Sequence, residues 1–391
     1  MRLLLTANGP GELLAWAAPL LARLEARGGF TTEIVLWPCR FASGREPELA
    51  ATLPTVSSVV PPAEAIRGLL CRRPGASFAP TDVLLHIGGE PALSLLLARR
   101  LGCPAVAYHE PDGAIFRLFE RSLPVAGPRA VGDLRTDAWA EVGASRERVD
   151  ENRADGLVLA LFPGSRALLV RHFLPFQLLV ASTLSRSLPG LGVLVTLSDL
   201  VTAEAFLAAL EGSPGILPGS RARLLGTPGP GGTLEVEGLP PVPIVRTGRA
   251  LREADFGLAP VGSVTGEAAA AGLPLVALLP THDPALVPIP GLAGQLRRLP
   301  FVGRGLHATA FRTFVARRPL VALPNLRAGR PLVPEVRGDF GTEEVVTALL
   351  GLAREIQDGA ARARLANGLR SAMGPAGAAG RILAELEAVV A

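Results

Sequence analysis

Short unbroken apolar runs alternate along the chain with longer stretches whose apolar residues recur at helical spacing. The runs predict strands at Leu3–Thr6, Glu33–Trp37, Ser57–Val60, Val83–Ile87 and Ala105–Tyr108, with helices over roughly 12–27 and 91–100 among them. Pro19 falls inside the first helix, where its missing N–H and its clash with the carbonyl four residues back predict a kink. Continuous apolar strands separated by helices are the pattern of a parallel sheet covered on both faces.

The pattern lapses over 120–156, a polar stretch rich in Arg, Asp and Glu, and a linker is expected over 145–155. It then restarts, with strands predicted at Leu157–Phe162, Val193–Thr196, Pro243–Val245, Phe256–Ala259 and Leu275–Leu279. Helices are expected after Arg166 and over 202–211, 247–253 and 265–271, while the Gly- and Pro-loaded segment 212–232 reads as a loop. Residues 343–390 are mostly helical, with an Ala/Gly-rich break near 373–380. The expected architecture is α/β, with two Rossmann-like domains whose parallel sheets face a central cleft. Their bounds are 1–148 and 149–372, and a C-terminal helix over 373–391 returns to the first domain. In such sheets ligands lie beyond the carboxyl ends of the strands, so the loops after the strands carry the chemistry.

Composition narrows the chemistry. Of the 391 residues 49% are hydrophobic, which supplies a large core and excludes a disordered chain. All 39 basic residues are Arg, which removes a Schiff-base lysine, a P-loop lysine and a lysine base. A net charge of +4 is too weak to indicate nucleic acid by itself, and is compatible with a phosphorylated substrate or an anionic membrane surface. Cys39, Cys71 and Cys103 lie far apart, which fits neither a zinc site nor a disulfide framework and agrees with a reducing compartment. The apolar opening is broken by Asn8-Gly9-Pro10-Gly11-Glu12, too early for a signal peptide. The longest apolar runs, near 172–185 and 268–281, are short for a membrane span and contain Pro. A cytoplasmic protein is expected.

Six loops stand out. Asn8-Gly9-Pro10-Gly11-Glu12 joins the first strand to the first helix, where glycines admit a ligand to the backbone and a helix start favours anions. Ile87-Gly88-Gly89-Glu90-Pro91 puts a carboxylate at the end of the fourth strand, and His109-Glu110 ends the next. Gly164-Ser165-Arg166 follows the first strand of the second half, where amide N–H groups and a guanidinium would grip a diphosphate. Gly262-Ser263-Val264-Thr265-Gly266-Glu267 enters a helix whose small residues would seat a diphosphate, with Glu267 placed to accept from ribose hydroxyls. The stretch from Leu323 to Glu335 sets Asn325, Arg327, Arg330 and Glu335 on what reads as one irregular binding loop.

Three of these segments together resemble lipid-A-disaccharide synthases and their relatives, inverting glycosyltransferases of the GT-B fold. They are Leu161-Phe162-Pro163-Gly164-Ser165-Arg166, Gly262-Ser263 with Glu267 and Gly272-Leu273-Pro274, and Leu323-Pro324-Asn325 through Ala328-Gly329-Arg330 to Leu332-Val333 and Glu335. Val131-Gly132 with Asp137 is similar more loosely. The resemblance implies a second domain that binds a UDP-sugar through Arg166, Gly262, Ser263, Glu267, Asn325, Arg330 and Glu335, to which the loop reading adds Gly164, Ser165 and Thr265. It implies a first domain that holds a lipid-linked or other sugar acceptor at the inner membrane face, and Asn8, Gly11 and His109 at that domain's strand ends are the expected acceptor contacts.

The first half departs from the family. Only Gly11-Glu12 matches its opening loop, Leu93 or a neighbour stands where a second acid is usual, and Leu168, Leu169 and Val170 replace an acid after Arg166. The expected reaction is transfer of a sugar with inversion, without metal or bound cofactor, UDP-sugar being the co-substrate. Glu90 is the expected base and Glu12 the alternative. Competing readings are an epimerase or hydrolase acting on UDP-sugars, and a non-catalytic nucleotide-sugar binder. The stretch His172–Phe176 reads either as a membrane contact or as a core helix.

Overall fold

The structure is a computed structural model that describes residues 1–39, 42–70, 78–110, 113–140, 156–212, 217–281, 315 and 318–391. The linker expected over 145–155, and Cys71, lie outside the described residues. The chain divides into two compact units, Met1–Ala140 with Gly374–Ala391, and Glu141–Met373.

The first unit is built on six strands, β1 (Arg2–Ala7), β2 (Thr31–Leu36), β3 (Val56–Val60), β4 (Val83–His86), β5 (Ala105–His109) and β6 (Arg121–Pro124). They pair in the order β3-β2-β1-β4-β5-β6, all parallel. Period-two alternation splits each central strand between two cores. Leu3, Leu5, Ile34, Leu36, Val83, Leu85, Val106 and Tyr108 face one layer. Leu4, Val35, Leu84, Ala105 and Ala107 face the other. The first layer is closed by Leu20, Leu21 and Leu24 of the helix Ala18–Arg27 and by Ile382, Leu383 and Leu386 of the terminal helix Ala378–Val390. Burying each of those three terminal side chains contributes about 1.5–3 kcal/mol. Asp137 fixes that helix, its carboxylate accepting from the amides of Gly377, Ala378 and Ala379 at 2.5–3.0 Å, and Arg381 donates to the Val131 carbonyl at 2.6 Å.

The helix expected over 12–27 is interrupted. A single turn at Pro10–Glu12 runs into a π-helical turn, Leu13–Ala17, before the α-helix begins at Ala18. The widened turn lies just ahead of Pro19, and opening the backbone there relieves the clash between the proline ring and the preceding carbonyl.

The second unit has eight strands, β7 (Val158–Leu161), β8 (Gly192–Thr196), β9 (Arg223–Leu225), β10 (Thr233–Glu235), β11 (Val242–Val245), β12 (Phe256–Pro260), β13 (Leu275–Pro280) and β14 (Glu335–Gly338). Their order is β14-β13-β12-β7-β8-β11-β10-β9. Pairing is parallel from β14 to β11 and antiparallel at β10. The expected α/β class with two Rossmann-like units therefore stands, but 212–232 is not wholly a loop, because β9 begins at Arg223. The 323–335 segment is not an irregular loop either. It forms a short helix, Leu323–Ala328, and leads into β14.

The helix Ala167–Ser185 is long and apolar enough to cross a membrane by length and composition, and 67% of its most apolar window is buried. Phe173, Leu174 and Phe176 are at most 1% exposed in the core of the second unit. His172–Phe176 is thus a core stretch, and the membrane contact it suggested has no support from it.

Candidate active site

In both sheets the chain builds outward from one central strand and then returns to build in the other direction. Ligands of open parallel sheets sit at that reversal, beyond the carboxyl ends of the two strands that flank it. In the second unit the reversal lies between β7 and β12, which pair with Leu258 beside Leu161. The loops leaving those strands are Phe162–Arg166 and Val261–Gly262, two of the segments singled out from the sequence.

Each loop delivers a helix start to this point. Arg166 stands at the N-cap of the helix Ala167–Ser185 with extended backbone and no side-chain cap, so its guanidinium is not used to close its own helix. Gly164 has φ of +109°, a conformation that favours glycine, and turns the chain between strand and helix. Gly164, Ser165 and Arg166 are half-buried. Gly262 and Ser263 are exposed at the start of the helix Ser263–Ala271, and Glu267 is half-buried on it. Helix starts present unpaired N–H groups and a positive field, which suits a diphosphate.

The Leu323–Glu335 run adjoins this helix, and three of the expected contact residues make internal hydrogen bonds there. Asn325 is fully buried. Its Nδ2 donates to the Val333 carbonyl at 2.9 Å and to Glu335 Oε1 at 2.8 Å, and its Oδ1 accepts from the amides of Leu332 and Val333 at 2.7 and 3.0 Å. Two donors and two acceptor positions are all used, so no capacity is left for a nucleotide. Glu335 accepts from the amides of Val321 and Ala322 as well, which caps the helix Leu323–Ala328. Thr265, 1% exposed, donates to the Gly262 carbonyl at 2.8 Å and accepts from the Leu323 amide at 3.3 Å. In this structure all three side chains hold the local backbone. Arg330 is exposed and, among the described residues, has no side-chain partner.

In the first unit the reversal lies between β1 and β4, and the loops there are Asn8–Glu12 and Ile87–Glu90. Sequence reading treated them separately, yet the structure makes them one feature. The Glu12 side chain lies across both, so that a Cβ at Gly88 would come 2.6 Å from Glu12 Cγ. Glycine at 88 is thus what lets a carboxylate 76 positions away settle at the reversal. Asn8 and Gly11 are half-buried on the same loop. Glu90 is exposed at the N-cap of the helix Pro91–Leu101 and makes no capping hydrogen bond.

His109, expected as an acceptor contact, is held by neighbours within the first unit. It is 7% exposed, its Nδ1 lies 2.5 Å from the Glu110 carbonyl and its Nε2 2.9 Å from Ser122 Oγ. Its ring stacks on Phe116 with centroids 3.7 Å apart. Both nitrogens are committed inside the unit, and burial lowers its pKa.

Beneath the first reversal lies a polar network that the sequence reading missed, for its members come from β1, β4, the end of β2 and the next helix. Trp37 Nε1 donates to Ser94 Oγ at 2.9 Å, which lies 2.9 Å from Thr6 Oγ1 and 3.0 Å from His86 Nδ1. The Thr6 carbonyl above it accepts from the amides of Ile87 and Gly88. Burial, with a smaller contribution from His109, lowers the His86 pKa from 6.5 to about 4. Below pH 6.5 the unfolded chain therefore takes up a proton that the folded one refuses. Stability is expected to fall as the pH drops from 6.5 towards 4, by up to about 3 kcal/mol. Urea midpoints of wild type and His86→Asn across that range test this, and equal slopes for the two would refute it.

No protein-family model matches the chain. In sequence it is 29% identical over 242 residues to a lipid-A-disaccharide synthase of Myxococcus xanthus (strain DK1622). The match covers 61% of this chain and 50% of the relative, so the chain spans about half the length of the curated relative it matches. Among solved structures it is similar to MnaA of S. aureus in complex with UDP, with a TM-score of 0.55 and 13% identity over 99% of this chain and 96% of that one. It is also similar to a UDP-GlcNAc 2-epimerase of Neisseria meningitidis bound to UDP-GlcNAc, with a TM-score of 0.54 and 13% identity over 99% of this chain and 100% of that one. The likeness to these structures is one of fold, the GT-B type expected from the sequence.

Proposed function

We propose that the chain is a glycosyltransferase that takes a sugar from a UDP-sugar and passes it, with inversion, to a lipid-linked or other sugar acceptor. The observation that carries this reading is the meeting of two helix starts and Arg166 at the strand reversal of the second unit. Similarity to the Myxococcus xanthus synthase supports it. The acceptor hydroxyl attacks the anomeric carbon, the bond from that carbon to the diphosphate breaks, and UDP leaves. Amides at the helix starts and the Arg166 guanidinium meet the charge that grows on the departing phosphate. A carboxylate takes the hydroxyl proton as the bond forms. Glu90, exposed and not used as a cap, fills that role, with Glu12 as the alternative.

The test is release of UDP from UDP-sugars with and without candidate acceptors. Release should depend on acceptor and fall by about two orders of magnitude or more in Glu90→Gln, with UDP binding unchanged. Release that ignores the acceptor would indicate a hydrolase, and conversion of the sugar without release an epimerase. Undiminished turnover in Glu90→Gln would pass the role to Glu12.

A further inference from the structure

Gln177 lies deep in the helix Ala167–Ser185, with its side chain fully buried among the apolar residues of the second unit. Its Nε2 donates to two carbonyls, Phe162 at 3.1 Å and Leu258 at 3.2 Å. Its Oε1 is buried and, among the described residues, has no hydrogen-bond partner. A buried amide with one end unmatched is destabilising relative to an apolar side chain of the same shape. The matched end therefore indicates what the residue does.

Both carbonyls belong to the strand ends at the reversal. Phe162 is the first residue after β7 and the root of the turn that carries Gly164, Ser165 and Arg166. Leu258 lies in β12, four residues before Gly262. The Leu258 carbonyl also accepts from the Phe162 amide at 2.9 Å. One amide thus ties together the roots of the two turns, and so helps to set the spacing of the two helix starts.

We infer that Gln177 is a positioning residue for nucleotide binding, holding the Gly164–Arg166 turn and the Gly262–Ser263 helix start at the separation that a diphosphate requires. It touches no ligand and acts through the backbone it pins. The inference rests on the nucleotide reading given above. A misplacement well under an ångström is enough to weaken several charge-assisted hydrogen bonds together.

Gln177→Met keeps an unbranched side chain of similar length and removes the donor. In the variant, the hydrogen-bonded amides at the roots of the two turns, those of Phe162, Val170, Val261 and Thr265, should exchange with deuterium about tenfold faster. Exchange in β11, two strands away from β7 in the sheet, should be unchanged. UDP should bind about tenfold more weakly, the loss expected for about one hydrogen bond's worth of positioning. Exchange that rises equally in β11 would mean a general loss of stability and would overturn the inference. So would an unchanged affinity for UDP. Wild type is titrated alongside. If it does not bind UDP, the nucleotide reading itself falls and the inference with it, whereas binding by wild type with an unaffected variant removes the inference alone.

Discussion

Arg166→Ala is expected to lower UDP affinity by about 10- to 100-fold, the loss of one or two charge-assisted hydrogen bonds to phosphate. Thermal denaturation reads this directly. At a UDP concentration about 100 times the wild-type Kd, mass action stabilises the native state by about 2.7 kcal/mol. A hundredfold loss leaves the variant near its own Kd, where the same concentration contributes only about 0.4 kcal/mol. The UDP-induced rise in Tm should therefore fall by about half at a tenfold loss and almost vanish at a hundredfold loss, although ligand-free Arg166→Ala remains folded. GDP is the control for the base, since a diphosphate site alone would respond to both nucleotides. An equal UDP shift in wild type and variant would place the nucleotide away from the helix start after β7, and with it would go the main support for a UDP-sugar enzyme.

The central strands were legible because burial on two faces writes itself as an unbroken apolar run. Leu3–Thr6 and Leu275–Leu279 lie inside β1 and β13 for that reason. The strands that escaped notice are at or beside sheet edges. β6 buries Leu123 and leaves Arg121 and Ser122 exposed. β14 is half-buried along its whole length, and β9 and β10 are three residues each. A strand covered on one side has no continuous run to show, and a short antiparallel pair among glycines and prolines looks like the loop around it.

The site was legible in position and less so in role. The loops at both strand reversals were identifiable as strand-to-helix turns with small and charged residues. What a single sequence does not display is which polar groups satisfy one another. Glu12 and Gly88 are unremarkable apart, and only the parallel pairing of β1 with β4 brings them together. His109 beside an acid looked like binding chemistry until Ser122 and Phe116 took up its ring. Gln177 gave no signal at all, because a lone amide on a helix reads as a surface residue.

Asn325 shows the same point with the largest expected effect on stability. Asn325→Leu preserves the bulk of the side chain but strands the amides of Leu332 and Val333 and the carbonyl of Val333, and removes one donor to Glu335. Each buried group left unmatched costs about 1–3 kcal/mol, so the second unit should lose roughly 4 kcal/mol and on the order of 10 °C in Tm. Asn325→Asp separates the donors from the acceptors. It keeps an oxygen for the two amides and replaces the donor facing Glu335 with a second carboxylate oxygen. Two carboxylates at that distance repel, so the variant should be weak at neutral pH and recover as acid protonates one of them. Wild type has no such pair at this position. A direct ligand contact would behave differently, lowering UDP affinity while leaving the Tm of the free protein near wild type. That outcome would return Asn325 to the binding surface, whereas a large loss of stability with acid rescue in Asn325→Asp would establish that the run from Leu323 to Glu335 acts by holding its own backbone, and the start of the neighbouring Ser263–Ala271 helix, in shape.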